Sequence, residues 1–320
     1  MTRRSWVVTH ALPPRDATVI ANLRASIEPN KGKLRGPAAR APFDAIIGRT
    51  AAPEGVTFRE DTLGGLRGWW CEPSDARPKA AILHLHGGLF NLGSAHAFRH
   101  LVGHIARSAS VGAFVPEYRL APEHPFPSAV HDAQAWFRGM VERGFEAIAV
   151  SGDSAGGNLA LSLLSILARQ PPAKIRLVGG VVLSPMTDLC MTGSSWETRA
   201  AADPIFVRAQ VESLIDAYLK GHDPADPIAS PLYGDFAGLP PIRVHVGDDE
   251  VLLDDSLRLV ERAVAAGVDA TVDVWEGMPH GFIGNVGVLM AAGDALAAVG
   301  AFLSTRFATV DSRCPSDNGY

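Results

Sequence analysis

Apolar residues in this chain recur in two alternating regimes, short runs rich in β-branched side chains and longer stretches with helical spacing. Val56 to Arg59 and Leu66 to Cys71 flank a turn at Gly64-Gly65, a pattern that predicts an antiparallel entry pair. Six more strands are predicted at Ala80 to Leu85, Ala113 to Glu117, Ala147 to Ser151, Val178 to Ser184, Ile242 to Val246 and Ala270 to Trp275. Several are almost continuously apolar, which predicts burial on both faces, as in a parallel sheet covered by helices. Helices are predicted between them at Ala97 to Ser108, Ala129 to Arg143, Asn158 to Ala168 and Ser256 to Ala266, with a last one near Val288 to Arg306. This strand-helix rhythm predicts an α/β layered fold.

Two segments stand outside the rhythm. Residues 1–50 hold a predicted helix, Ala17 to Ile27, and a Lys/Arg/Gly/Pro-rich connection through Pro42; residues 195–222 hold another helix, Val207 to Leu219. Both read as cap segments on a catalytic domain spanning 51–310, followed by a polar, flexible tail at 311–320.

Bulk composition narrows the partners. A chain of 320 residues with 47% hydrophobic and 20% charged residues can bury a large core as one domain plus a cap. A net charge of -5 without a long basic run argues against nucleic acid. His10 and Pro13-Pro14 interrupt the apolar start, so no export signal is expected, and no window approaches the roughly 18 to 20 apolar residues of a membrane span. Cys71, Cys190 and Cys314 lack ligand spacing, which predicts neither a disulfide framework nor a zinc site and favours a reducing cytoplasm.

Candidate chemistry lies after the strands, where sites form in such sheets. Gly152-Asp153-Ser154-Ala155-Gly156-Gly157 joins a strand to a helix and reads as a nucleophile elbow, with Ser154 exposed on a sharp turn that glycines permit. His86-Gly87-Gly88-Leu89-Phe90 can turn the N–H groups of Gly88 and Leu89 toward a ligand, completing an oxyanion hole with the N–H of Ala155. His280, in the Gly/Pro-rich loop after the last strand, is the candidate base. His84 falls within a strand, and His96, His100 and His104 form a helix face without a closing ligand set, so no metal site is expected. The acid should follow Ile242 to Val246, where Asp248, Asp249, Glu250, Asp254 and Asp255 compete. Asp254 and Asp255 suit a helix N-terminus, which leaves Asp249 and Glu250.

Taken with Tyr118 to Glu123 and with Leu183-Ser184-Pro185 and Asp188, these blocks closely resemble the bacterial hormone-sensitive-lipase family of α/β-hydrolase carboxylesterases over roughly residues 55 to 305. The resemblance implies a mostly parallel eight-stranded sheet with helices on both faces and a helical cap, a triad of Ser154, His280 and an acid, and no cofactor. Laid on the family's acid block, Glu250 takes the acid position ahead of Asp249. The family usually carries a third glycine where this chain has Leu89, which would then border the pocket with Phe90, Phe206 and Met278. Tyr118 to Glu123, Asp153 and Asp188 would support the site without reacting. The implied activity is hydrolysis of short- to medium-chain acyl esters; a lactonase or a small-molecule deacetylase would use the same machinery. A non-catalytic ligand receptor is the remote alternative, opposed by the retained His280. A homodimer could form through an exposed edge at Ala270 to Trp275.

Overall fold

The computed structural model describes residues 5–172 and 175–311. The strands are β1 (Val7–His10), β2 (Val56–Leu63), β3 (Leu66–Pro73), β4 (Ala80–Leu85), β5 (Gly112–Pro116), β6 (Ala147–Asp153), β7 (Arg176–Leu183), β8 (Ile242–Gly247) and β9 (Ala270–Trp275). They form one sheet in the order β1-β9-β8-β7-β6-β4-β5-β3-β2. Only the β2–β3 and β3–β5 pairings are antiparallel. The helices are α1 (Pro14–Ile27), α2 (Arg40–Ile47), α3 (Ala95–Ala109), α4 (Ser128–Glu142), α5 (Ala155–Arg169), α6 (Ser195–Thr198), α7 (Arg208–Leu219), α8 (Leu253–Ala265) and α9 (Met290–Asp311). Residues 312–320 of the expected tail, with Cys314, lie outside the described residues.

Side-chain alternation along the central strands separates two cores. Ala81, Leu83 and Leu85 of β4 and Ile148 and Val150 of β6 join α4, α5 and α8 on one face. Ala80 and Ile82 of β4 and Ala147 and Ala149 of β6 join α3 and α9 on the other. Each fully buried leucine or isoleucine contributes about 1.5 to 3 kcal/mol, so a strand with no polar face is stabilised from both sides.

The sheet has nine strands rather than the expected eight. The extra strand, β1, comes from the segment read as cap, and it pairs in parallel with β9 from Val7 opposite Val272 to His10 opposite Trp275. Its four residues are half-exposed and carry no apolar alternation, which is why the sequence pattern passes over it. The His10 ring stacks 3.9 Å from that of Trp275, and its Nε2 lies 2.7 Å from Asp273 Oδ1. Because β1 occupies the outer edge of β9, the expected dimer contact through that edge is blocked.

The two segments expected to form a cap contact each other. Lys31 Nζ donates to the Ala200 carbonyl, the Gly32 N–H donates to Ile205, and Gln210 Nε2 donates to Leu34. From α1, the buried carboxylate of Asp16 reaches the other end of the chain, where its two oxygens accept the Met290 and Ala291 N–H groups at 2.9 Å each. These are among the first N–H groups of α9, which have no partner inside the helix. Asp16→Ala is therefore expected to cost about 1 to 2 kcal/mol and to lower the melting temperature by several degrees in a thermal scan.

Candidate active site

The five loops that matter leave the carboxyl ends of β4, β6, β7, β8 and β9, which are contiguous in the sheet. Ser154 sits between β6 and α5 with φ 53° and ψ −120°, outside the ordinary regions for a side chain bearing a Cβ. Such a backbone costs about 1 to 3 kcal/mol and persists only where its surroundings enforce it. The enforcement is local crowding. A Cβ at Gly156 would stand 2.0 Å from the Leu85 carbonyl oxygen, and one at Gly152 would stand 2.3 Å from that of Gly156. The Ser154 N–H donates to Leu183 at 2.8 Å and its carbonyl accepts from Met186 at 3.1 Å, so both sides of the corner are tied to the segment that leaves β7.

The candidate base comes from three strands away, roughly 14 Å across the sheet, on the loop that follows β9. His280 Nδ1 lies 2.6 Å from Glu250 Oε2. With an ionised carboxylate as acceptor, Nδ1 carries the hydrogen, and Nε2 is left free to take a proton. Glu250 is completely buried, and its Oε1 accepts from Ser184 Oγ at 2.6 Å and from the Gly247 N–H at 2.8 Å. Burial alone would push the His280 pKa down, but the charge and hydrogen bond of Glu250, helped by Asp203 and Asp153, hold it above the usual imidazole value.

The other four carboxylates of the acidic run are committed elsewhere. Asp249 Oδ2 meets Arg24 Nη2 of α1 at 2.5 Å. Asp248 accepts the Gly277 N–H, Asp254 accepts Ser194 Oγ and the Ser195 N–H, and Asp255 accepts the Thr187 and Asp188 N–H groups. Glu250, and not Asp249, is the carboxylate at the imidazole.

After β4 the chain turns through three consecutive residues of positive φ, Gly88 (119°), Leu89 (53°) and Phe90 (61°). Among the described residues, no acceptor takes the N–H groups of Gly88 or Leu89. The Ala155 N–H opens α5, where a helix leaves its first donors unpaired. Asp153 Oδ1 accepts the Gly87 N–H at 3.0 Å and lies 3.2 Å from His84 Nε2, which anchors this loop to the elbow. Arg40 of α2 donates to the Asn91 and Ala121 carbonyls, and Tyr118 Oη donates to the His86 carbonyl. Asp188 pairs with Arg258 at 3.0 Å, a supporting contact behind the β7 loop.

A family model described as the α/β-hydrolase fold matches residues 82–284. An acetyl-hydrolase of Streptomyces hygroscopicus is 38% identical over 76% of this chain and 81% of its own length. An esterase of Acinetobacter venetianus is 35% identical over 81% of this chain and 86% of its own. A crystal structure of an esterase from the bacterial hormone-sensitive lipase family superposes with a TM-score of 0.85 at 36% identity, covering 93% of this chain and 99% of that one. The chain belongs to the bacterial hormone-sensitive-lipase family of α/β hydrolases. Two of the expected pocket walls of this hydrolase lie elsewhere. Met278 is fully buried in the core beside α9, because its main chain packs against Gly247. Phe90 is buried and stacks on Tyr218 of α7, with ring centres 3.8 Å apart. The Phe206 ring lies 4.8 Å from that of His280. Leu89 is buried in the core that also contains Phe206.

Sequence reasoning missed a cavity that reaches His280 and Asp153, although neither Ser154 nor the candidate oxyanion donors line it. It measures about 70 Å³, with Ile47, Phe98, Leu101, Leu183 and Ile283 as apolar walls and Asp153 and His280 on its polar side. Ile47 belongs to α2, whose helical pattern is short and hidden in the basic connection. Ser184 was visible in a matching block, yet nothing in the sequence signalled its bond to Glu250. His100 and His104 face the Thr50 and Ala51 carbonyls at 2.8 Å each. Gly156→Ala is expected to be the most damaging single methyl in the site: the Leu85 carbonyl cannot yield without moving β4. Folded yield should drop sharply, and any soluble fraction should lose at least about 100-fold in ester hydrolysis.

Proposed function

We infer that this carboxylic ester hydrolase works as a serine carboxylesterase through an acyl-enzyme on Ser154. The observation that carries the reading is the pairing of His280 with the buried Glu250 carboxylate across from the strained Ser154 corner. His280 Nε2 takes the Ser154 hydroxyl proton as Oγ bonds to the ester carbonyl carbon, and the N–H groups of Gly88, Leu89 and Ala155 receive the oxyanion. As the tetrahedral centre collapses, the C–O bond to the alcohol breaks and His280 returns the proton to the leaving oxygen. Water then takes the alcohol's place and gives a proton to His280 as its oxygen bonds to the acyl carbon; the second tetrahedral centre collapses, the bond to Ser154 Oγ breaks, His280 returns the proton to Oγ, and the acid leaves. Each hole donor contributes about 3 to 4 kcal/mol at the transition state.

The cavity supports a short acyl or alkyl group. At about 70 Å³ it is half the size of an apolar cavity that holds benzene, roughly 150 Å³. Two related hydrolases described as acetyl-hydrolase and esterase agree with small ester substrates. The first of these favours acetylated small molecules as a second substrate class for the same machinery. No helix among the described residues is long and apolar enough to cross a membrane, and Cys71 and Cys190 are free thiols, which supports action on a small-molecule ester in a reducing, cytoplasmic setting.

The test is a series of p-nitrophenyl esters from acetate to dodecanoate, an acetylated sugar and a lactone panel, with organophosphate labelling of Ser154. Acetate to butyrate should be fastest, with kcat/KM falling beyond about six carbons as the chain outgrows the cavity. One label per chain should abolish turnover, and Ser154→Ala should lose about 10⁴-fold or more. Absence of labelling, or full activity in Ser154→Ala, overturns the reading.

The pH profile follows from the imidazole. The base works as the neutral form, so activity rises with pH through the His280 pKa; because Glu250 raises that pKa, the acid limb of kcat/KM should lie above the usual 6.5. Glu250→Gln removes the charge that favours the cation, so its limb should move to lower pH while kcat falls about 10² to 10⁴-fold. Asp249→Asn should keep the limb in place and stay within a few-fold of the wild type.

A further inference from the structure

Asp203 is a buried carboxylate in the 195–222 cap segment, between α6 and α7, with no solvent exposure. Three main-chain donors converge on it. Oδ1 accepts from the Ile205 N–H at 2.7 Å and the Phe206 N–H at 2.9 Å, closing the turn that sets the Phe206 ring against His280. Oδ2 accepts from the Val251 N–H at 3.0 Å. Val251 is the residue that follows Glu250, so one side chain grips both the turn carrying the acid and the turn carrying the ring beside the base.

The cations nearby serve the backbone instead of this carboxylate. Lys31 Nζ donates to the Ala200 and Asp203 carbonyls, and Arg24 donates to the Ala202 carbonyl while pairing with Asp249. They clamp residues 200–203 onto the N-terminal segment and leave the Asp203 carboxylate oxygens to accept from main-chain N–H groups.

We propose that Asp203 is a positioning residue of the esterase site, through which the cap fixes the Glu250 turn and one wall of the imidazole. The proposal rests on the reading of Ser154, His280 and Glu250 given above. The charged groups facing His280 are Glu250 from the loop after β8, Asp203 from the cap and Asp153 from the end of β6, all negative. Asp249, paired with Arg24 and near Arg199, stands behind Asp203. An amide cannot replace the carboxylate, because it has one accepting oxygen, and its NH₂ would confront either Val251 or the Ile205 and Phe206 pair.

The experiment measures kcat, KM and the pH dependence of kcat/KM on p-nitrophenyl butyrate for Asp203→Asn and Asp203→Ser, beside Ser154→Ala and the wild type. A seryl hydroxyl can still serve the Ile205 and Phe206 turn but is too short to reach Val251, so it isolates the link to the acid turn. Both variants are expected to lose roughly 10 to 100-fold in kcat with KM within about threefold. The acid limb should move to lower pH, as loss of a negative charge and a looser Glu250 both favour neutral imidazole; simple destabilisation of the fold would not move it. Unchanged kcat and an unchanged limb in either folded variant overturn the proposal. Activity persisting in Ser154→Ala instead overturns the underlying reading. Hydrogen exchange on the wild type gives a test independent of variant folding: the Val251 amide should be as protected as those of β8, and rapid exchange overturns the proposal.

Discussion

The corner between β6 and α5 sits so close to the end of β4 that a single methyl at Gly156 would reach 2.0 Å from a carbonyl oxygen. That approach has two effects at once. It drives the Ser154 backbone into a region that a free residue avoids, and it brings the loop after β4 against the same corner, where Asp153 seizes the Gly87 N–H. Ser154 and the candidate oxyanion donors are therefore positioned by one steric contact between strand ends. The strain of about 1 to 3 kcal/mol is small beside the two cores that sandwich these strands, which is why it can be held permanently.

The acid turn shows a different kind of economy. Five carboxylates crowd residues 248–255, and in a low-dielectric interior most arrangements of such a run would repel. Each is instead assigned a distinct donor: a main-chain N–H for Asp248, Asp254 and Asp255, a guanidinium for Asp249, and the imidazole for Glu250. The assignment of Asp249 depends on Arg24, more than two hundred residues earlier, so the N-terminal segment takes part in deciding which carboxylate faces the base.

This explains where the sequence was legible. Strands β4, β6 and β7 announce themselves because both faces are buried and most of each run is apolar, and β8 and β9 keep an alternating apolar set despite Arg243, His245, Thr271 and Asp273; the elbow and the His280 loop announce themselves because glycine marks the chain wherever backbone approaches backbone. The choice between Asp249 and Glu250 could be made only by family resemblance, since it turns on the long-range partner Arg24. Phe90 and Met278 were misplaced for a related reason. Both sit next to site residues in sequence, but Phe90 finds a flat partner in Tyr218, and Met278 has its main chain pressed against Gly247. β1 escaped notice because an edge strand of four half-exposed residues has no pattern to show.

The pairing of β1 with β9 and the hold of Asp16 on the start of α9 also bear on how the protein is made. Residues 7–16 leave the ribosome long before the partners at residues 272–291 that they pair with. At ordinary rates of synthesis the interval is on the order of tens of seconds. Throughout that time the outer edge of the sheet is unwritten, and the first fifty residues must stay soluble without their docking surface. Their Lys/Arg-rich, Pro- and Gly-punctuated composition, which in the finished molecule also supplies the Lys31, Gly32 and Leu34 contacts to residues 200–210, suits a segment that has to wait.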